Sequence, residues 1–143
     1  MFTSALPSAF GRPQNFANAY ASVGIETSVN SASAHRLIEL LFNGFVDAVG
    51  LARAAMRAKQ IEQKGKAITR AARIVEEGLK AGLNMEAGGR LAEDLALLYA
   101  YVAMRLTVAN LRNDESALDE CLRLVNPLRE AWISIGPQVE GQS

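Results

Sequence analysis

Few residues in this chain have side chains suited to chemistry, and their spacing does not favour it. The one histidine, His35, precedes Glu39 by four residues, which places both on one helical face. Carboxylate-metal bundles need Glu-x-x-His on two helices. That motif is absent, as is a second histidine. His35 is therefore expected to be a surface or capping residue, and no metal site is expected. The one cysteine, Cys121, cannot close an internal disulfide and has no evident histidine partner. It reads as a small apolar side chain at a helical core position, in a chain suited to a reducing compartment. Gly88-Gly89 lacks the Lys-Ser/Thr of a phosphate loop, and no Gly-x-Ser-x-Gly elbow occurs. The acid pairs Glu76-Glu77, Glu93-Asp94 and Asp114-Glu115 suit solvated helix surface and first-turn positions. The expectation is a protein that is not an enzyme and uses no cofactor.

Charge and composition narrow the partners. Fifteen Lys and Arg balance fifteen Asp and Glu over 143 residues. A nucleic-acid binder needs a basic surplus or stripe, and a membrane-surface helix needs a basic face. Neither is present, so no nucleic acid and no membrane insertion are expected. The first residues, 1–13, have no basic segment followed by an apolar one. No apolar run approaches the roughly 18 residues of a membrane span. A cytoplasmic location follows as the expectation.

The elements that must carry any function are helices. Ala, Leu, Arg and Glu dominate a long stretch without proline, and straight-chain residues lose little rotamer freedom in a helix. Helix one is expected from Ser33, a good N-cap, to about Arg57, through Leu37, Leu41, Phe45, Ala48, Ala52 and Ala55. Helix two is expected from about Gln60 to Leu83, with Ile61, Ile68, Ala72, Val75, Leu79 and Leu83 inward. Gly88-Gly89 breaks the chain, and helix three follows to about Leu111. Asn113 or Asp114 caps helix four, which runs through Leu118, Cys121, Leu122, Val125 and Trp132. Pro127 predicts a kink or a loosened final turn.

The fold class is thus all-α, an antiparallel up-down four-helix bundle over 31–135, as four such helices with short connections imply. Residues 1–30 read as a mobile N-terminal arm that can form a short extra helix, and 136–143 as a disordered tail.

Helix three carries more apolar surface than one core contact needs. At about 100° per residue, Leu91, Leu95, Leu98, Val102, Leu106 and Ala109 fall in one narrow arc. Leu97, Tyr101, Met104, Val108 and Leu111 fall in a second, nearly opposite. Either helix three is central and touches neighbours on both sides, or the N-terminal arm, a second subunit or a partner chain covers the second arc. Gly78 and Gly82, one turn apart on helix two, allow either a close backbone approach by another chain or tight packing inside the bundle.

Several segments, in order, resemble the flagellin-specific export chaperone family, FliS. They are Asn18-Ala-Tyr20, Val23-Gly-Ile-Glu-Thr27, Ser33-Ala-His-Arg-Leu37 and Leu41-Phe-Asn-Gly44, the last similar to the family's Leu-Tyr-Asp-Gly. Gly88-Gly89 with Leu95, Leu98-Tyr-Ala-Tyr101, Arg105-Leu106, Ala109-Asn110, Asn113-Asp114 and Leu128-Arg-Glu-Ala-Trp132 follow. The likeness spans roughly 17–133. Ala34 replaces a usual proline, Phe42 a tyrosine and Asn43 an aspartate.

The resemblance implies a cytoplasmic chaperone for bacterial flagellum assembly. It would bind the disordered C-terminal segment of flagellin, prevent premature polymerisation and keep the client competent for type III export. Its implied partners are that segment and, once loaded, the flagellar export gate. The second arc of helix three supplies the candidate flagellin-binding residues Leu97, Tyr101, Met104, Val108 and Leu111. Phe16, Tyr20 and Val23 supply a displaceable arm, since the resemblance implies that the N-terminal segment covers part of the client surface. The chain is expected as a monomer or weak dimer. The alternative is a structural homodimeric interaction protein, in which the second arc pairs with itself.

Overall fold

The computed structural model describes residues 33–136, and the arm positions Phe16, Tyr20 and Val23 lie outside them. Four helices account for nearly all of the described chain, and no strand occurs among the described residues. Helix α1 spans Ala34–Arg57. Helix α2 spans Ile61–Arg73 and continues as a π-helical segment, Ile74–Lys80. Helix α3 spans Met85–Arg112 and α4 spans Glu115–Ser134.

The boundaries follow local chemistry. Ser33 Oγ accepts from Arg36 N–H at 3.1 Å, Asn84 Oδ1 from Ala87 N–H at 3.0 Å, and Asp114 Oδ1 from Ser116 N–H at 3.0 Å. Each satisfies an orphan donor at a helix start. Two helices end on a left-handed residue, Lys59 (φ 59°) and Asn113 (φ 51°). The next N–H then reaches back: Gln60 N to Ala55 O at 2.9 Å, and Asp114 N to Ala109 O at 3.1 Å. That closure reverses the chain within a few residues.

The helices pack as a ring in chain order. Helix α1 lies against α2 and α4, and α3 lies against the same two. The α1 core is the expected one, with Leu37, Leu41, Phe45, Ala48, Ala52 and Ala55 buried and joined by Ile38, Phe42 and Val49. From α4, Ala117, Leu118, Cys121, Val125, Leu128 and Trp132 point inward.

Helix α2 departs from expectation in three ways. Ile61 is 75% exposed, because it is the first residue of α2 and lies past the last buried position of α1, Ala55. The inward residues are Lys64, Ile68 and Ala71, then Ile74, Val75, Gly78 and Leu79. The π segment changes the residue-to-face relation, which is why Ile74 joins Val75 in the core while Ala72 and Leu83 are only half-buried. Gly78 is required by close packing: a Cβ there would stand 2.8 Å from Leu41 Cδ2. Of the two readings of the α2 glycines, packing inside the bundle accounts for Gly78.

Helix α3 begins before the glycine pair. Met85 opens it, and Gly89 (φ 54°, ψ −133°) kinks it. Those angles suit glycine and interrupt the helix, so the break expected at Gly88-Gly89 occurs there, with one helical turn from Met85 ahead of it. Leu98, expected in the core, is half-buried, and its neighbour Tyr99 is fully buried. Pro127 is exposed, and α4 runs on through it to Ser134 with Leu128 and Trp132 buried. The last turns are packed, not loosened. An outward proline leaves its freed carbonyl to water.

The Tyr99 hydroxyl is buried without a hydrogen-bond partner among the described residues. Burial raises its pKa above the ordinary 10.0 and pushes the Cys121 thiol up from 9.0 to about 12. Both groups hold their protons more tightly folded than unfolded, so stability falls as pH rises through the unfolded values. Denaturant melts at pH 7.5 and 10 should show that loss. Tyr99→Phe should lessen it and raise stability at pH 7.5 by up to about 1 kcal/mol, since an orphan hydroxyl is removed.

Candidate protein-binding surface

The first arc of α3 faces the core, with Leu95, Val102, Leu106 and Ala109 buried and Leu91 half-buried. The second arc is open. Leu97 is 71% exposed, Tyr101 40%, Met104 48% and Leu111 78%, with Val108 half-buried between them. Helix α3 therefore does not bury both stripes against its neighbours. The alternating spacing of four and three residues keeps these side chains in one line along the helix.

Two elements support that line. On the α4 side, Tyr101 Oη donates to Glu120 Oε2 at 2.5 Å, and Arg105 Nε donates to Glu120 Oε1 at 2.7 Å. The hydrogen bond from Tyr101 and the nearby Arg105 hold the Glu120 carboxyl below its usual range, and the same bond raises the Tyr101 pKa. On the α2 side, the line ends at Leu111 in a groove of about 360 Å³ that Ile68, Ala72, Thr107 and Asn110 also line. The C-terminus of α3 is fixed there by Lys64, whose Nζ donates to Asn110 O at 3.0 Å and Asn113 Oδ1 at 2.5 Å. A cation at the negative end of a helix is favourable, and its partners account for a buried lysine.

A further groove of about 560 Å³ lies between α1 and α2, with Leu51, Ala54, Ala58 and Ala67 along it and Lys66 and Arg70 at the edge. It was not legible as a groove because Leu51 falls outside the core periodicity of α1. The Tyr101–Glu120–Arg105 cluster was also missed. Tyr101 and Arg105 share an i, i+4 spacing, but Glu120 joins them only through the register of α4 against α3.

The candidate chemical residues resolve differently. His35 is buried, contrary to the surface expectation, and acts as a cap: its Nε2 donates to Trp132 O, a last-turn carbonyl of α4, at 2.8 Å. The rings stack with centroids 5.0 Å apart, and Trp132 Nε1 donates to His35 O at 2.9 Å. The reason is positional: the first turn of α1 lies against the last turn of α4. Glu39 pairs with Arg36 instead. Among the described residues no group of three His, Cys, Asp or Glu could hold a metal ion. Cys121 is buried as expected, with its Sγ 3.7 Å from Val102 O. Glu76, Glu77 and Glu115 form ion pairs with Lys80, Arg73 and Arg57. Asn43, which stands where the resembled motif has aspartate, accepts from Arg129 Nε at 2.7 Å and so links α1 to α4. No helix among the described residues is long and apolar enough to cross a membrane.

Comparison with known proteins gives a consistent result. The family model described as flagellar protein FliS matches residues 16–139. The flagellar secretion chaperone FliS of Salmonella typhimurium is 44% identical over 124 residues, covering 87% of this chain and 92% of that protein. The flagellar secretion chaperone FliSB of Pseudomonas aeruginosa is 42% identical, covering 81% and 91%. The flagellar secretion chaperone FliS of Escherichia coli is 39% identical, covering 80% and 84%.

Proposed function

This chain belongs to the FliS family of flagellar proteins, and on that footing we propose that it is a flagellar secretion chaperone for the C-terminal segment of flagellin. The observation that carries the reading is the open apolar line on α3, Leu97, Tyr101, Met104 and Leu111, on an otherwise well-packed bundle. Such a line fits a client that is disordered when free. Ordering that client opposes binding, so affinity must come from a long, mostly apolar contact. Covering the client's apolar side chains prevents premature polymerisation, and the loaded complex is what the export gate receives. The function is binding without chemistry.

Phe16, Tyr20 and Val23 belong to a segment that competes with the client for this surface. Deleting residues 1–20 should tighten client binding by a few-fold, because the competing state is removed. It should also lower solubility, since the apolar line loses its cover. Unchanged affinity and solubility would refute the competition.

Calorimetric titration tests the function itself, using flagellin from the same organism, intact and lacking its C-terminal segment. Tight binding to the intact client and none to the truncated one supports the proposal. Absence of binding to both refutes it. In that case light scattering on the chain alone decides for or against self-association through α3.

A further inference from the structure

Tyr101 differs from the rest of its line in having a polar tip that the bundle already holds. Its hydroxyl hydrogen is committed to Glu120 Oε2, and the other oxygen of that carboxylate accepts from Arg105 Nε. Tyr101 is 40% exposed, while the Arg105 and Glu120 side chains are about one quarter exposed. The bond fixes the direction of the phenol. Its oxygen keeps an unused lone pair, and the terminal nitrogens of Arg105 take no acceptor among the described residues. One fixed acceptor and one fixed donor group thus stand one helical turn apart, beside Leu97 and Met104.

An extended chain laid along α3 brings main-chain N–H and C=O groups that lose water as it docks. Each must find a partner or weaken the complex. An apolar line offers none. We propose that Tyr101 and Arg105, held by Glu120, form a polar clamp for the client main chain midway along α3. Tyr101 Oη accepts a client N–H and the Arg105 guanidinium donates to a client C=O. The clamp rests on the client-binding reading above and adds to it. It gives a sequence-tolerant contact that sets the register of a chain otherwise free to slide. Glu120 acts as the positioning residue, since it touches both clamp members and need not touch the client.

The test uses the full chain and the C-terminal segment of the same organism's flagellin, titrated calorimetrically. Tyr101→Phe keeps the ring and removes only the hydroxyl, so it is expected to weaken binding by roughly 5- to 10-fold with the melting temperature nearly unchanged. Glu120→Ala frees both partners and should weaken binding by at least as much. Glu120→Gln, whose amide oxygen still accepts from Tyr101, should recover part of the loss. A readout specific to positioning is the phenol titration at 295 nm: Glu120→Ala should lower the Tyr101 transition. If Tyr101→Phe and Glu120→Ala bind as tightly as the unchanged chain, the clamp is wrong while the chaperone reading stands. If the unchanged chain does not bind the segment, both fall.

Discussion

Replacing Leu97 and Met104 together by lysine is expected to weaken binding of the flagellin C-terminal segment by about 100-fold or more. Leu97 is 71% and Met104 48% exposed, so each has apolar area left to bury when a partner arrives. Burying a leucine or methionine side chain is worth about 1.5 to 3 kcal/mol, and the lysines would add a charge to desolvate. The remaining area of two anchors, together with the desolvation of two added charges, reaches the roughly 2.7 kcal/mol that a hundredfold change requires. Neither side chain belongs to the buried core, so the melting temperature should move by no more than about 2 °C. Glu93→Lys, also exposed on α3, controls for added positive charge. Calorimetry and a thermal melt on the same samples separate the two effects. Unchanged affinity in the double variant would remove α3 as the client surface. A dimeric chain made monomeric by it, with client binding intact, would assign the line to self-association.

The α3 line was legible in sequence because its period is that of a helix and its residues are large and apolar. The helix starts were legible for a similar reason: Ser33 and Asp114 are side chains able to cap an exposed N–H three or two residues on. What sequence could not supply was register between helices. His35 and Trp132 are 97 residues apart and each unremarkable alone. They meet only because α1 and α4 are antiparallel and in register at that end. Lys64 likewise looks like a surface lysine until the C-terminus of α3 is placed beside it. The π segment escaped because Ile74–Lys80 has the composition of an ordinary helix, and only packing against Leu41 reveals why Gly78 is there. Local chemistry announces where helices begin and which faces are apolar. Contacts between distant helices depend on geometry that no window of sequence contains.

Truncating Trp132 to alanine is expected to cost about 3 to 5 kcal/mol and to lower the melting temperature by more than about 10 °C. The indole is 2% exposed and lies flat against the His35 ring. Its Nε1 donates to the His35 carbonyl while the His35 ring donates to the Trp132 carbonyl, so the first and last helices are tied reciprocally at one end of the bundle. Gly136 completes the fit, since a Cβ there would stand 2.5 Å from His35 Cε1. Removing the indole leaves a cavity beside an imidazole that stays buried. Trp132→Phe keeps most of the area but not the N–H, so it should lose clearly less stability than alanine. Circular dichroism is the suitable probe, because the substitution removes the chain's one tryptophan. A Trp132→Ala melt close to that of the unchanged chain would show that the last turns of α4 contribute little to the bundle. The expected large loss, set beside a stripe variant that loses binding but not stability, separates the two jobs of the sequence. Core side chains hold α3 in place, and the side chains left outside that core remain available to a partner.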